Sequence, residues 1–116
     1  MKENRENIIV EKSFHFALKI VSYCELLEEN RKFIISRQLL KSGTSIGANV
    51  REAQNSESKD DFIHKLKIAA KEAEETEYWL LICKNSSSYP INESLLSDIH
   101  ELIKIISKII ITCKST

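Results

Sequence analysis

Three residues are all this chain has for breaking regular structure: Gly43, Gly47 and Pro90, in 116 positions. A β-rich domain turns about every 8–12 residues and uses Gly and Pro to do so. Here both glycines fall inside one long apolar repeat, and Pro90 ends the one conspicuous loop, Asn85-Ser86-Ser87-Ser88-Tyr89-Pro90. The chain is thereby confined to a few long helices joined by short links.

Placing side chains at about 100° per residue gives four helices, near residues 10–29, 32–54, 58–84 and 92–114. In the second, Ile35, Leu39, Gly43, Ile46, Val50 and Ala53 form the inward stripe. Its glycines imply close approach of a neighbouring helix or a local kink, since each costs about 1 kcal/mol against Ala. In the third helix the inward line is Phe62, Leu66, Ala69, Ala73, Thr76, Leu80 and Cys83. Ser58 is placed to cap it, with Asp60 and Asp61 in the first turn, where the helix dipole favours anions. The fourth carries Leu95, Leu96, Ile99, Leu102, Ile103, Ile106, Ile109, Ile110 and Cys113 within one arc, with Asn92 as cap and Ile91 and Leu96 as a staple. Short links make consecutive helices antiparallel neighbours. The expected fold is all-α: one up-down-up-down antiparallel four-helix bundle over residues 1–116.

The first helix carries more apolar surface than one such bundle uses. Phe14, Ala17, Leu18, Val21 and Cys24 make one stripe, read here as the core; Phe16, Ile20, Tyr23 and Leu27 make another, about 160° away. On the third helix Ile68, Trp79 and Ile82 lie off the core line. Those seven residues, Phe16 to Leu27 and Ile68, Trp79 and Ile82, are the candidate surface for self-association. Two different patches suit a head-to-tail ring. A polar seam is also expected, with Ser45 and Asn49 of the second helix bonded to Thr76 or Glu77 of the third, since buried polar groups need partners.

Charge bounds the function. The net charge is zero but unevenly placed: nine bases against six acids in residues 1–51, four against eight in 52–78, four against three in 79–116. A nucleic-acid binder is ordinarily basic over the whole domain, so any polyanion contact must be local. The candidate is a stripe on the outer face of the second helix, Arg37, Lys41 and Arg51, extended by Arg31 and Lys32. His15, His64 and His100 lie on three helices outside the core arcs, and Glu72, Glu74, Glu75 and Glu77 have no nucleophile or His beside them. No catalytic, metal or cofactor site is expected, and no small-molecule substrate. Cys24, Cys83 and Cys113 have no CxxC spacing and read as small buried hydrophobes of a reducing cytoplasm. Residues 102–111 are interrupted by Lys104, Ser107 and Lys108, so no membrane span is expected.

Two strings carry a resemblance: Arg37-Gln-Leu-Leu-Lys-Ser-Gly-Thr-Ser-Ile-Gly-Ala-Asn-Val-Arg-Glu-Ala53, and Asp61-Phe-Ile-His-Lys-Leu-Lys-Ile-Ala-Ala-Lys-Glu-Ala-Glu-Glu-Thr-Glu-Tyr-Trp-Leu80. They resemble the bacterial four helix bundle protein family, which includes proteins encoded in intervening sequences of 23S ribosomal RNA genes. The resemblance covers the first three helices well and the fourth by pattern. It implies an up-down bundle that assembles as a ring, typically a homopentamer. A related group, the accessory proteins of diversity-generating retroelements, is basic and binds nucleic acid and a reverse transcriptase; the zero net charge here departs from it. The expected function is a non-enzymatic oligomeric adaptor that contacts RNA, or another nucleic acid, or a partner protein. The competing expectation is a protein-interaction scaffold with no nucleic-acid role.

Overall fold

The structure is a computed structural model and describes residues 4–116, with side chains from Ile8 onward. Four helices follow in order: α1 (Asn4–Glu29), α2 (Phe33–Ala53), α3 (Lys59–Lys84) and α4 (Ser94–Lys114). Each packs against its neighbours in sequence, and α1 closes against α4, giving an antiparallel four-helix bundle measuring 48 × 20 × 19 Å. The core is mainly aliphatic: Leu39, Ile46 and Val50 meet Leu66, Leu95, Ile99, Leu102 and Ile106, all buried. α1 begins six residues before the expected Val10, which brings Ile9 into this core.

Local sequence accounts for most of the helix ends. Ser58 accepts the Asp61 amide at 3.0 Å and caps α3. α4 starts two residues after Asn92, whose carboxamide oxygen accepts the Ser94 amide at 3.1 Å and its hydroxyl at 2.8 Å. The link between α1 and α2 is one residue longer than expected, since α2 starts at Phe33 rather than Lys32, and its backbone is closed by hydrogen bonds. The Lys32 amide donates to the Leu27 carbonyl at 2.8 Å and the Arg31 amide to that of Glu28 at 2.9 Å, the two bonds of a Schellman motif. Its left-handed position is filled by Arg31, at φ 63°, where glycine is the usual occupant. The α1–α2 and α3–α4 links meet at one end of the bundle: Tyr23 donates to the Pro90 carbonyl at 2.7 Å, and the Lys32 ammonium sits 4.9 Å over the Tyr89 ring.

Small residues set the closeness of α1 to α2. α2 runs unbroken through both glycines, whose φ angles are negative. A β-carbon on Gly43 would lie 2.9 Å from both γ-carbons of Ile20, and one on Gly47 would lie 3.3 Å from the Ser13 carbonyl oxygen. Close approach, rather than a kink, is therefore why these positions hold glycine. Ser36 completes the line, with its hydroxyl 3.2 Å from the Cys24 carbonyl and the Cys24 thiol 3.4 Å from the Ser36 carbonyl.

These contacts fix the rotation of α1 and overturn one expectation. The inward stripe is Phe16, Ile20, Tyr23, Cys24 and Leu27, whereas Phe14, Leu18 and Val21 face solvent. Two stripes exist, but their assignment is the reverse of the sequence reading, except that Cys24, read with the Phe14 stripe, is buried as expected. Periodicity alone cannot choose between stripes of similar hydrophobicity; the steric fit of Ile20 onto Gly43 does.

The polar seam also differs. Ser45 and Asn49 are half-buried and bond back to their own helix, Ser45 to the Lys41 carbonyl at 2.6 Å and Asn49 to that of Ser45 at 2.8 Å, as hydroxyls and amides inside helices commonly do. The bond between α2 and α3 is made one turn earlier, between the hydroxyls of Ser42 and Thr76, 2.9 Å apart and both fully buried. Glu77, 100° further round α3 than Thr76, faces α4 and pairs with His100.

Candidate functional site

The surface that α1 and α2 present outward follows from the phase just described. With Ile20 locked on Gly43, the second apolar stripe of α1 must point away from the core. Phe14 is 49% exposed and Leu18 51%, against 2% for Phe16 and 0% for Ile20. Val21 and, across the helix crossing, Leu40 are exposed beside them. Between the two helices lies a hollow of about 110 Å³, lined by Val10, Phe14, Ala17, Thr44, Gly47, Ala48 and Arg51. It exists because the α2 residues forming its floor are small.

The basic stripe borders this apolar face rather than standing apart. Arg37, Lys41 and Arg51 are all exposed on α2. The Arg51 guanidinium lies 5.9 Å from the centre of the Phe14 ring. Lys41 faces Glu72 of α3; burial, and after it Glu75, hold the Glu72 carboxyl above the ordinary carboxylate value, while Lys41 draws it down. Of the two extending residues, Arg31 is exposed at the left-handed position of the turn, and Lys32 is half-buried, with its ammonium 3.3 Å from the Ser88 hydroxyl. Lys32 therefore ties the two links together.

The residues expected to form the self-association surface are placed differently. Phe16, Ile20, Tyr23 and Leu27 are buried in the bundle itself and cannot meet another copy. Ile68, Trp79 and Ile82 are half-buried on α3; Trp79 packs against the core and donates its indole N–H to Glu75 at 3.0 Å. The exposed apolar residues of α3 are instead Tyr78 and Leu81. A sequence signal for them existed: both lie outside the inward line, yet as single positions they do not form a stripe.

Cys24 and Cys83 are buried beside Tyr23. Burial, the largest cause in each case, pushes the Cys24 thiol up to about 11 and raises Cys83; burial and then Cys83 raise the Tyr23 phenol. Thiols so raised are protonated at neutral pH and make poor nucleophiles. All three histidines are exposed, and among the described residues no group of His, Cys, Asp and Glu is arranged to hold a metal ion. Among the same residues no helix is long and apolar enough to cross a membrane.

Comparison with known proteins agrees with this architecture. No curated protein matches the chain. A solved crystal structure is similar, that of a protein with unknown function from the S23 ribosomal protein family of Bacteroides thetaiotaomicron. It is 45% identical, with a TM-score of 0.85, over 91% of this chain and 97% of that one. The family model described as 23S rRNA-intervening sequence protein matches residues 5–112. With nearly its whole length matched, the chain belongs to the 23S rRNA-intervening sequence protein family.

Proposed function

We propose that this protein is a non-catalytic helical adaptor that works by assembling with copies of itself, and that the outer face of α1 and α2 is where copies meet. The observation that carries the reading is the half-exposed stripe of Phe14 and Leu18, continued by Val21 and Leu40. Monomeric domains rarely leave a contiguous apolar face of this kind in water, and such faces mark association sites. Tyr78 and Leu81 of α3 form a second, different exposed patch. Two unlike patches favour a closed ring over a two-fold dimer, and five copies is the number the resemblance implies. The thiols of Cys24, Cys83 and Cys113 suit a reducing cytoplasm.

Light scattering on the purified chain tests this. The expected result is a mass of several protomers at micromolar concentration, reduced to one protomer by Phe14→Glu with the helical circular dichroism unchanged. A wild-type monomer overturns it.

An RNA contact is the second reading, favoured by the exposed bases of α2. Two of the three are engaged with the protein's own groups, Arg51 with Phe14 and Lys41 with Glu72, so the protein contact comes first. RNA binding through phosphates would weaken linearly in log affinity against log salt. Retention of RNA affinity by Arg37→Ser/Lys41→Ser/Arg51→Ser would rule out this stripe as its site.

A further inference from the structure

We infer that the end of the bundle where α3 begins and α4 finishes binds a small phosphorylated sugar, with Lys67 and Lys114 holding the phosphoryl group and Asp60 a hydroxyl. The sugar phosphate is a ligand here rather than a substrate, and the site does not depend on assembly.

Antiparallel packing builds the site. α3 starts at Lys59 beside the last turn of α4, so the first turns of α3 stand against Lys114. Lys59, Asp60, Ile63, His64, Lys67 and Lys114 line a hollow of about 420 Å³, within the roughly 300–1,000 Å³ of small-molecule sites. Asp60, His64 and Lys67 follow at spacings of four and three, which sets them on one strip of α3. Ile63 is buried beneath them. The Lys59 ammonium is held at the rim, donating to the Thr116 carbonyl at 2.6 Å.

Charge identifies the ligand. Where α1 meets α4 and α2 meets α3, lysines are matched to carboxylates: Lys12 to Glu101, Lys19 to Asp98 and Lys65 to Glu52. Where α3 meets α4 at this end, Lys67 meets Lys114 instead. Hydrogen bonding to Lys114, and then its charge, hold the Lys67 ammonium below the ordinary lysine value. Among the described residues no carboxylate pairs with either lysine. Two adjacent ammonium groups repel one another in water, but both can donate to one dianion. A phosphomonoester supplies roughly two negative charges at neutral pH, and His64 adds a ring N–H. Asp60 then decides what the phosphate is attached to. A carboxylate repels a bare phosphate ion, yet it accepts a hydrogen bond from a hydroxyl. The hollow has room for more than a phosphoryl group. A sugar phosphate satisfies both ends of it.

Phosphorus NMR of glucose 6-phosphate titrated with the full chain, at constant ionic strength, tests the site. The expected result is a saturable change. Lys67→Ala/Lys114→Ala should weaken binding by about tenfold or more, for glucose 6-phosphate and for inorganic phosphate alike. Asp60→Ala separates the two ligands: it should weaken glucose 6-phosphate and tighten inorganic phosphate. All three positions are exposed, and circular dichroism checks that each variant stays folded. Absence of a saturable change, or unaltered affinity in folded Lys67→Ala/Lys114→Ala, overturns the site. Glucose 6-phosphate binding that is unchanged or tighter in Asp60→Ala overturns the sugar and leaves a phosphate ion as the ligand.

Discussion

Gly43→Ala is the substitution whose outcome the packing of α1 on α2 determines most sharply. In an exposed helix interior, replacing Gly with Ala stabilises by about 1 kcal/mol. Here the added β-carbon would sit 2.9 Å from both γ-carbons of Ile20 and 3.3 Å from its β-carbon. Ile20 is fully buried, and a β-branched side chain in a helix has essentially one rotamer, so it cannot swing aside. Relief requires α1 and α2 to part, an overpacking cost of about 1–3 kcal/mol. The net expectation is a loss of up to about 2 kcal/mol. The diagnostic is a sign change. With Ile20→Ala, which alone costs about 2–5 kcal/mol, both clashing atoms are gone and only the 3.3 Å β-carbon contact remains. In that background Gly43→Ala should stabilise, by its helix propensity and by refilling the cavity. Urea unfolding followed by circular dichroism, at one fixed protein concentration because self-association would make stability depend on it, gives the four free energies of the cycle. A gain of about 1 kcal/mol from Gly43→Ala in the wild-type background would refute the reasoning.

Other expectations follow from single features. Arg31 holds a left-handed conformation at φ 63°, so Arg31→Gly should raise stability by about 1 kcal/mol, seen as a higher urea midpoint. Thr76→Val leaves the Ser42 hydroxyl without its 2.9 Å partner and should cost about 1–3 kcal/mol; adding Ser42→Ala should recover part of that loss, and strict additivity would refute the bond. The Cys24 thiol, raised from 9.0 to about 11, stays protonated in the folded chain where the unfolded chain ionises. Its stabilisation is therefore complete below pH 9 and lost as pH rises from 9 to 11, by roughly 2–3 kcal/mol. Urea midpoints under reducing conditions should fall across that window, and Cys24→Ala should flatten the fall.

The sequence made the fold legible because its long repeats leave few alternatives. Leu39, Ile46 and Val50 in α2, and Leu95, Ile99, Leu102, Ile106 and Ile109 in α4, are buried as their spacing predicts, while Leu96 and Ile103 of the same arc are half-buried. The surface was less legible, for a physical reason. α1 is apolar on two sides, and which side turns inward depends on Gly43 and Gly47 of another helix, too distant in the chain for periodicity to weigh. The same holds for the seam: Ser42, Ser45 and Asn49 all lie on a polar edge, yet only Ser42 reaches across to α3. The α1–α2 turn hid its conformation because Arg31 occupies a position where Gly would have announced it. What the structure does show is a second apolar stripe on α1, with Phe14, Leu18 and Val21 exposed.

That surplus stripe is the centre of the account, and sedimentation equilibrium of the wild type beside Leu18→Glu tests it most directly. Leu18 is half-exposed and makes no contribution to the buried core, so a charge there leaves the bundle intact while wetting the proposed interface. The account predicts a wild-type mass of several protomers at micromolar concentration, and a single protomer with unchanged helical signal for Leu18→Glu. A wild type that sediments as a monomer, or a folded Leu18→Glu that keeps the wild-type mass, would contradict it.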